Sequence, residues 1–406
     1  MRLLFLLRDY LPPFRADVAV LFGRELRQMG VRTDLLGQAG HSPGKPWSAG
    51  SLWLHGRERP GLLGDLLRPL HDCAILWRIR PDHQVLQVRD KIRTALMVRL
   101  VARLARKPWV YWMSFPIAEG HAERARDLSR KGPLGWALQL RSRLAMRLFY
   151  HHVAPHAHHI FVQSQAMLEH MAARGIPRAR MTAVPMGVDT ALLRNVEAIR
   201  PRPAAWNGRK VIGYLGTLGR SRDPAFLLRT FALVHAKEPS TLLLLVGDAP
   251  SEDERAWLRQ QIRASGLREH IHLTGWLPQE DALRHLAAVE VAWSAIPRSP
   301  LFDLSSPTKA VEYLALGIPC VGNEIPDQHI VLTQSGGGLS VMMNPELFAE
   351  ATLTLLAKPP SERRAIGERG RRWVAEHRDY AILATEVAKA YRRLVREHFG
   401  FFDSSD

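Results

Sequence analysis

Residues 306–322 read SPTKAVEYLALGIPCVG. Pro307 fixes a turn at the start, and Gly317 and Pro319 stop whatever lies between. Lys309 and Glu312 are three positions apart, so a helix here puts both on one face. A cation and a carboxylate at the mouth of a helix suit a sugar nucleotide. The cation meets the diphosphate, and the carboxylate accepts hydrogen bonds from the ribose hydroxyls. The same spacing also describes an ordinary surface ion pair on an amphipathic helix.

Outward from this stretch, short apolar runs alternate with helical patterns, the sign of parallel sheets with crossover helices. In the first half the runs expected as strands are 2–7, 31–37, 72–79, 108–114, 158–164 and 181–189. Val18 to Gly30 reads as a helix, with Val18, Leu21, Phe22, Leu26 and Met29 on one face. The Pro-rich stretch PRPAAWNGRK at 201–210 reads as a linker. A second alternation follows, with strands expected at 211–217, 241–248, 271–276, 289–295 and 318–324. The pattern predicts two consecutive doubly wound α/β domains, 1–200 and 208–378, followed by a helix over 379–398. The tail after His398 reads as frayed.

A length of 406 residues also favours two domains. With 46% hydrophobic and 23% charged residues, the composition is that of a soluble globular protein. The net charge of +17 is unusual, and it attracts nucleic acid, anionic membrane or phosphorylated small molecules. Nucleic acid is not expected as a partner: the aromatics do not interleave with the basic residues, and no zinc-finger or RNA-binding signature is present. Cys73 and Cys320 are the only cysteines, which points to a reducing compartment and gives no Cys-based metal site. There is no apolar run long enough to span a bilayer, and Leu3–Leu7 is too short for a signal-peptide core. The expected location is cytoplasmic, or peripheral on the inner face of the plasma membrane.

Four segments of the second half, in order, carry a family resemblance. They are GYLGTLGRSRD (213–223), VGDAP (246–250), TGWLPQEDALRHLAAVEVAWSAIP (274–297) and SPTKAVEYLALGIPCVG. In the first half, SQAMLEHMAARGIPRARMTAVPMGVD (164–189) adds to them. Together they resemble the retaining glycosyltransferases of family four, the glycosyl transferases of group one. The resemblance implies a GT-B fold, in which two Rossmann-like domains face a central cleft. It makes the first domain the acceptor side and the second the nucleotide-sugar side. It also has the last helix return to the first domain. A dinucleotide-binding turn is not expected, because Gly213, Gly216 and Gly219 do not fit its spacing. There is no Asp-x-Asp metal motif either, so a metal-independent reaction without cofactor is the natural expectation.

The departing nucleoside diphosphate carries two negative charges, which need stabilising in the transition state. The resemblance assigns this to Arg222 and Lys309 as the catalytic cations. It places Gly216, Thr217, Trp276, Leu277, Thr308 and Glu312 around the donor. Thr217 stands where many relatives carry an arginine, so one cation is absent or Arg220 replaces it. The family usually has a pair of glutamates; the second falls at Glu312 and the first at Leu304, with Asp303 beside it as a stand-in. On the acceptor side the candidates are Asp17, Ser114 and His121. Ser114 stands where the family often has a histidine, and Asp17 also fits a helix N-cap. No nucleophile stands out on the donor side, which fits a front-face mechanism.

Two basic amphipathic segments, 92–107 and 124–149, hold much of the positive charge. The second interleaves Arg141, Arg143 and Arg147 with Trp136, Leu140 and Leu144, and suits an anionic membrane surface. The expected function is transfer of a sugar from a nucleotide-diphosphate donor to a lipid-linked or polysaccharide acceptor at the cytosolic membrane face. The alternatives are a catalytically inert relative that scaffolds a glycan-assembly complex, and a nucleotide-sugar epimerase.

Overall fold

The computed structural model describes residues 1–13, 15–40, 46–55, 62–129, 133–194, 196 and 203–400. The side chains of residue 55 and of residues 62–68, 124–134 and 205 also fall outside the described ones. The chain divides into two compact units, Met1–Pro185 with Tyr380–Asp406, and Met186–Asp379. The chain thus passes from one unit to the other ahead of the Pro-rich stretch.

The first unit holds a seven-stranded sheet in the order β3-β2-β1-β4-β5-β6-β7. Its strands are β1 (Arg2–Leu11), β2 (Arg32–Ala39), β3 (Leu52–His55), β4 (Val85–Arg89), β5 (Trp109–Met113), β6 (His159–Val162) and β7 (Met181–Ala183). All their pairings are parallel. Leu3–Leu7 are buried, as an unbroken apolar run must be in a sheet covered on both faces. On one face an aromatic chain runs through the core. The rings of Phe5 and Phe22 lie 4.8 Å apart, those of Phe22 and Trp112 5.2 Å, and those of Trp112 and Phe161 5.0 Å.

The helix Tyr380–Phe399 belongs to this first unit. Its buried stripe of Tyr380, Leu383, Ala384, Val387, Tyr391 and Leu394 follows the helical period and joins the core of Leu3, Phe5 and Phe22. The Tyr391 hydroxyl donates to Gln87 Oε1 on β4.

The second unit holds a six-stranded sheet in the order β10-β9-β8-β11-β12-β13. Its strands are β8 (Lys210–Leu215), β9 (Thr241–Val246), β10 (Ile271–Leu273), β11 (Val291–Ser294), β12 (Cys320–Asn323) and β13 (Gly338–Val341). β9 shows why the run is apolar throughout. Leu243 and Leu245 enter one core, while Leu242, Leu244 and Val246 enter the other on the opposite face.

The structure corrects several expectations. Residues 72–79 are not a strand but the end of the helix Leu62–Ile79. Pro69 inside that helix disguises its period, yet the buried residues Asp72, Leu76 and Ile79 recur at helical intervals. The strand of that region is β4, and β3 and β13 were not foreseen at all. The segment 124–149 is not one helix. It comprises the end of Ile117–Ser129, a second helix Pro133–Leu148 opened by proline, and the start of a π-helical turn at Phe149–Val153. Val18 to Gly30 is helical but carries a π turn at Leu21–Glu25.

Candidate active site

In the second unit three glycine turns follow successive strands. Gly216 leaves β8 at φ 144°, Gly247 leaves β9 at φ 133°, and Gly275 follows β10 at φ 73°. A Cβ on Gly247 would stand 2.2 Å from the Gly216 carbonyl oxygen, so only glycine fits that close approach. Gly247 also bridges to Gly275, one residue before Trp276. Trp276 is exposed, and Leu277 beside it packs against the Val246 side of the core.

The helix Thr308–Ala315 points its first turn at these loops. Its N-cap position is Pro307, no side chain caps it, and no acidic residue lies in its first turn, so its first amides are available to an anion. Tyr313 fastens it in place, since the Leu215 amide donates to the Tyr313 hydroxyl at 2.8 Å. Lys309 lies across Gly216: a Cβ there would be 2.9 Å from Lys309 Cε and 3.2 Å from its Nζ. The ammonium is 5.4 Å from the centre of the Tyr214 ring.

Lys309 and Glu312 do not form the surface ion pair that their spacing also allowed. Among the described residues, the Glu312 carboxylate makes neither a salt bridge nor a hydrogen bond. Burial pushes its carboxyl up to about 7, against the pull of the Lys309 charge. Such a group gains by accepting hydrogen bonds from hydroxyl donors.

Arg222 ends a short turn, Arg220–Arg222, with its guanidinium 5.2 Å from the Phe302 ring centre and no carboxylate partner among the described residues. Arg220 instead lies over Trp257, at 5.0 Å. Thr217 and Thr308 are half-buried beside the Gly216 loop and at the helix start. Leu304 is buried. Asp303 is not free to stand in for a glutamate: Arg298 holds both its oxygens, at 2.7 and 2.8 Å.

Sequence reasoning missed a buried cluster behind this site. Ser306 Oγ donates to Asp327 at 2.6 Å and accepts from the Met186 amide at 2.8 Å. Arg378 donates to both oxygens of Asp327, at 3.2 and 2.8 Å. This network sets the chain just ahead of the helix. Its only sequence signal is the serine before Pro307.

The first unit brings Asp17 and Ser114 together on Arg89, a buried residue at the end of β4 that the sequence did not single out. Arg89 donates to Asp17 at 2.6 Å and to Ser114 Oγ at 3.1 Å. Asp17 is no N-cap, because Arg15 holds that position and Asp17 lies inside the turn, with Arg15 Nε 3.1 Å away. Burial works to raise the Asp17 carboxyl, but Arg89 and Arg15 more than offset it and hold it below the usual range. Ser114 donates to Asp90 through both its hydroxyl and its amide, the latter at 3.0 Å. Asp90 adopts a left-handed backbone at φ 52°, and burial raises its carboxyl despite Arg89. His121 lies elsewhere, in a cavity that Asp90 also lines.

Comparisons with known proteins agree with this architecture. Residues 209–358 match the family described as glycosyl transferases group 1, and residues 16–187 match the glycosyl transferase 4-like domain. The chain belongs to the group 1 glycosyltransferases, and its fold is GT-B. A glycosyltransferase 1 domain-containing protein of Xenopus tropicalis is 26% identical over 165 residues, a match that spans 41% of this chain and 45% of that protein. Among solved structures, HepE of Anabaena in complex with UDP and glucose aligns with a TM-score of 0.70 at 16% identity, over 97% of this chain and all of that one. The α,α-trehalose 6-phosphate synthase of Burkholderia multivorans aligns with a TM-score of 0.70 at 15% identity, over 100% of this chain and 99% of the other. Among the described residues, no helix is long and apolar enough to cross a membrane.

Proposed function

We propose that this protein transfers a sugar, with retention, from a nucleotide-diphosphate donor to a lipid-linked or polysaccharide acceptor at the cytosolic face of the membrane. The observation that carries the donor side is Lys309 lying across the Gly216 backbone beside an unbonded Glu312. The glycine turns admit a diphosphate close to the main chain, and the Thr308–Ala315 helix offers its amides to it. Lys309 and Arg222 face the charge that grows on the diphosphate as the sugar–oxygen bond breaks. Glu312 accepts hydrogen bonds from the ribose hydroxyls, which favours its ionised form. Trp276 and Leu277 border the base. The leaving phosphate oxygen takes the acceptor proton, so the step needs no protein nucleophile and no metal.

HepE was crystallised with UDP and with UDP-glucose, which makes uridine nucleotides the first to try. The test is thermal stabilisation of the purified protein by UDP, GDP, their sugars and ATP in metal-free buffer. A shift with one diphosphate that disappears in Glu312→Ala and Lys309→Ala is the expected result. No shift with any of them overturns the reading.

A further inference from the structure

The first unit contains a cavity of about 270 Å³ beyond the end of β4, and its lining is unlike that of the donor site. Three arginines line it, Arg8, Arg93 and Arg141. All three are exposed, and among the described residues none has a carboxylate partner. Lys91, also at the cavity, is occupied by Asp72 and adds no free charge. The opening turn of the helix Ile92–Ala105 forms one wall, and its N-cap, Lys91, makes no side-chain capping bond. Three free guanidinium groups at one cavity oppose more than one negative charge, and their planar forks match phosphate oxygens.

Asp90, Thr94 and His121 also line the cavity, with the Asp90 carboxylate already held by Ser114 and Arg89, and the rest of the wall is apolar. Leu144 and Leu148 of the helix Pro133–Leu148 line the cavity alongside Arg141. Leu144 is also the inner end of a stripe that runs along that helix. Trp136 is 69% exposed, Leu140 70% and Leu144 54%, each four residues from the next. Side chains of this size are seldom left so open in a row. A cationic cavity at one end of an apolar stripe fits a ligand with a charged head and a greasy tail.

We propose that this cavity seats the diphosphate head of a lipid acceptor, with the lipid chain lying along Leu144, Leu140 and Trp136. The inference rests on the glycosyl-transfer reading and narrows its acceptor to an anionic amphiphile. The charge complementarity is local: the phosphate oxygens meet Arg8, Arg93 and Arg141, and the first carbons of the chain meet Leu144 and Leu148.

Titration calorimetry on the full chain tests it, with farnesyl diphosphate below its micelle concentration, inorganic diphosphate and farnesol as separate probes. Farnesyl diphosphate is expected to bind at least about tenfold more tightly than either of the others, since it alone engages both walls. The double variant Arg93→Glu/Arg141→Glu is expected to weaken it by about tenfold or more. Trp136→Ser/Leu140→Ser is expected to remove its advantage over inorganic diphosphate while leaving inorganic diphosphate unchanged. Equal binding of the three probes, or no effect of the arginine variant, overturns the proposal. So does competition by UDP, which would put the head in the nucleotide site. Retention on vesicles of phosphatidylcholine with phosphatidylglycerol, without binding of farnesyl diphosphate, would assign the stripe to the bilayer and overturn the seat. The nucleotide shift separates the two readings. If nucleotides stabilise the protein and farnesyl diphosphate does not bind, this inference alone fails. If farnesyl diphosphate binds and no nucleotide does, the acceptor role falls with the donor reading.

Discussion

Two charged clusters, one in each unit, are built in opposite ways. Around Arg89 the charges close on one another: Asp17 takes its Nη2, Ser114 takes its Nε and bonds Asp90 in turn, and of the guanidinium only Nη1 has no hydrogen bond among the described residues. Around the Gly216 turn they stay open: Lys309, Arg222 and Glu312 lack a partner carboxylate or hydrogen bond among the described residues. A closed set fixes the shape of the backbone, whereas an open set is poised for a ligand. The first kind is read through stability and the second through binding and rate.

The largest effect expected from this contrast is at Arg89. Arg89→Ala leaves Asp90 buried without its cation and Asp17 with Arg15 alone, and urea unfolding is expected to show a loss of about 3–5 kcal/mol. A loss under about 1 kcal/mol would mean that the network is not closed. Next is Lys309→Ala, expected to lower kcat about 10²–10³-fold while leaving the urea midpoint in place. A shifted midpoint with unchanged kcat would move Lys309 to the structural class.

A smaller effect is expected with pH. Burial pushes the Glu312 carboxyl up to about 7, and on the proposed donor reading ribose hydroxyls favour its ionised form. Donor affinity is therefore expected to fall by up to about tenfold per unit as pH drops below that value. Stability should move the other way. A carboxyl raised on folding binds its proton more tightly in the native state, so its contribution grows as pH falls from about 7 toward the ordinary glutamate range. Glu312→Gln removes both trends, and their persistence in that variant would assign them elsewhere. The smallest effect belongs to Asp303→Asn, whose pairing with Arg298 is half-exposed and is expected to change stability and kcat by less than about 1 kcal/mol. A large loss of kcat there would make Asp303 the stand-in for the missing glutamate after all.

The sequence displayed the second unit more openly than the first. Apart from β13, a half-buried GLSV, its strands are short apolar runs between clear turns, and Lys309, Glu312 and Gly216 stand in one-dimensional motifs. The first unit hid more. Pro69 masked the period of a long helix, and β4 reads VLQVR, with a glutamine and an arginine in a strand buried from end to end. Those two polar residues are tolerated because Tyr391 and Asp17 meet them, from stretches far away in sequence. Arg89 was invisible for the same reason: its partners are assembled only by the fold. The clamp on Asp303 likewise depends on Arg298, which no motif marks.

The helix Tyr380–Phe399 has a further consequence for how the protein is made. Its tyrosines and leucines complete the core around Leu3 and Phe5, yet it leaves the ribosome only after the whole of Met186–Asp379. The second unit is continuous in sequence and can fold as soon as it emerges. The unit synthesised first must hold part of its apolar core exposed until nearly 200 intervening residues have been translated, as the 186–379 span requires. During biosynthesis the order of completion is therefore the reverse of the order of synthesis, and a chaperone's protection matters most for the N-terminal sheet.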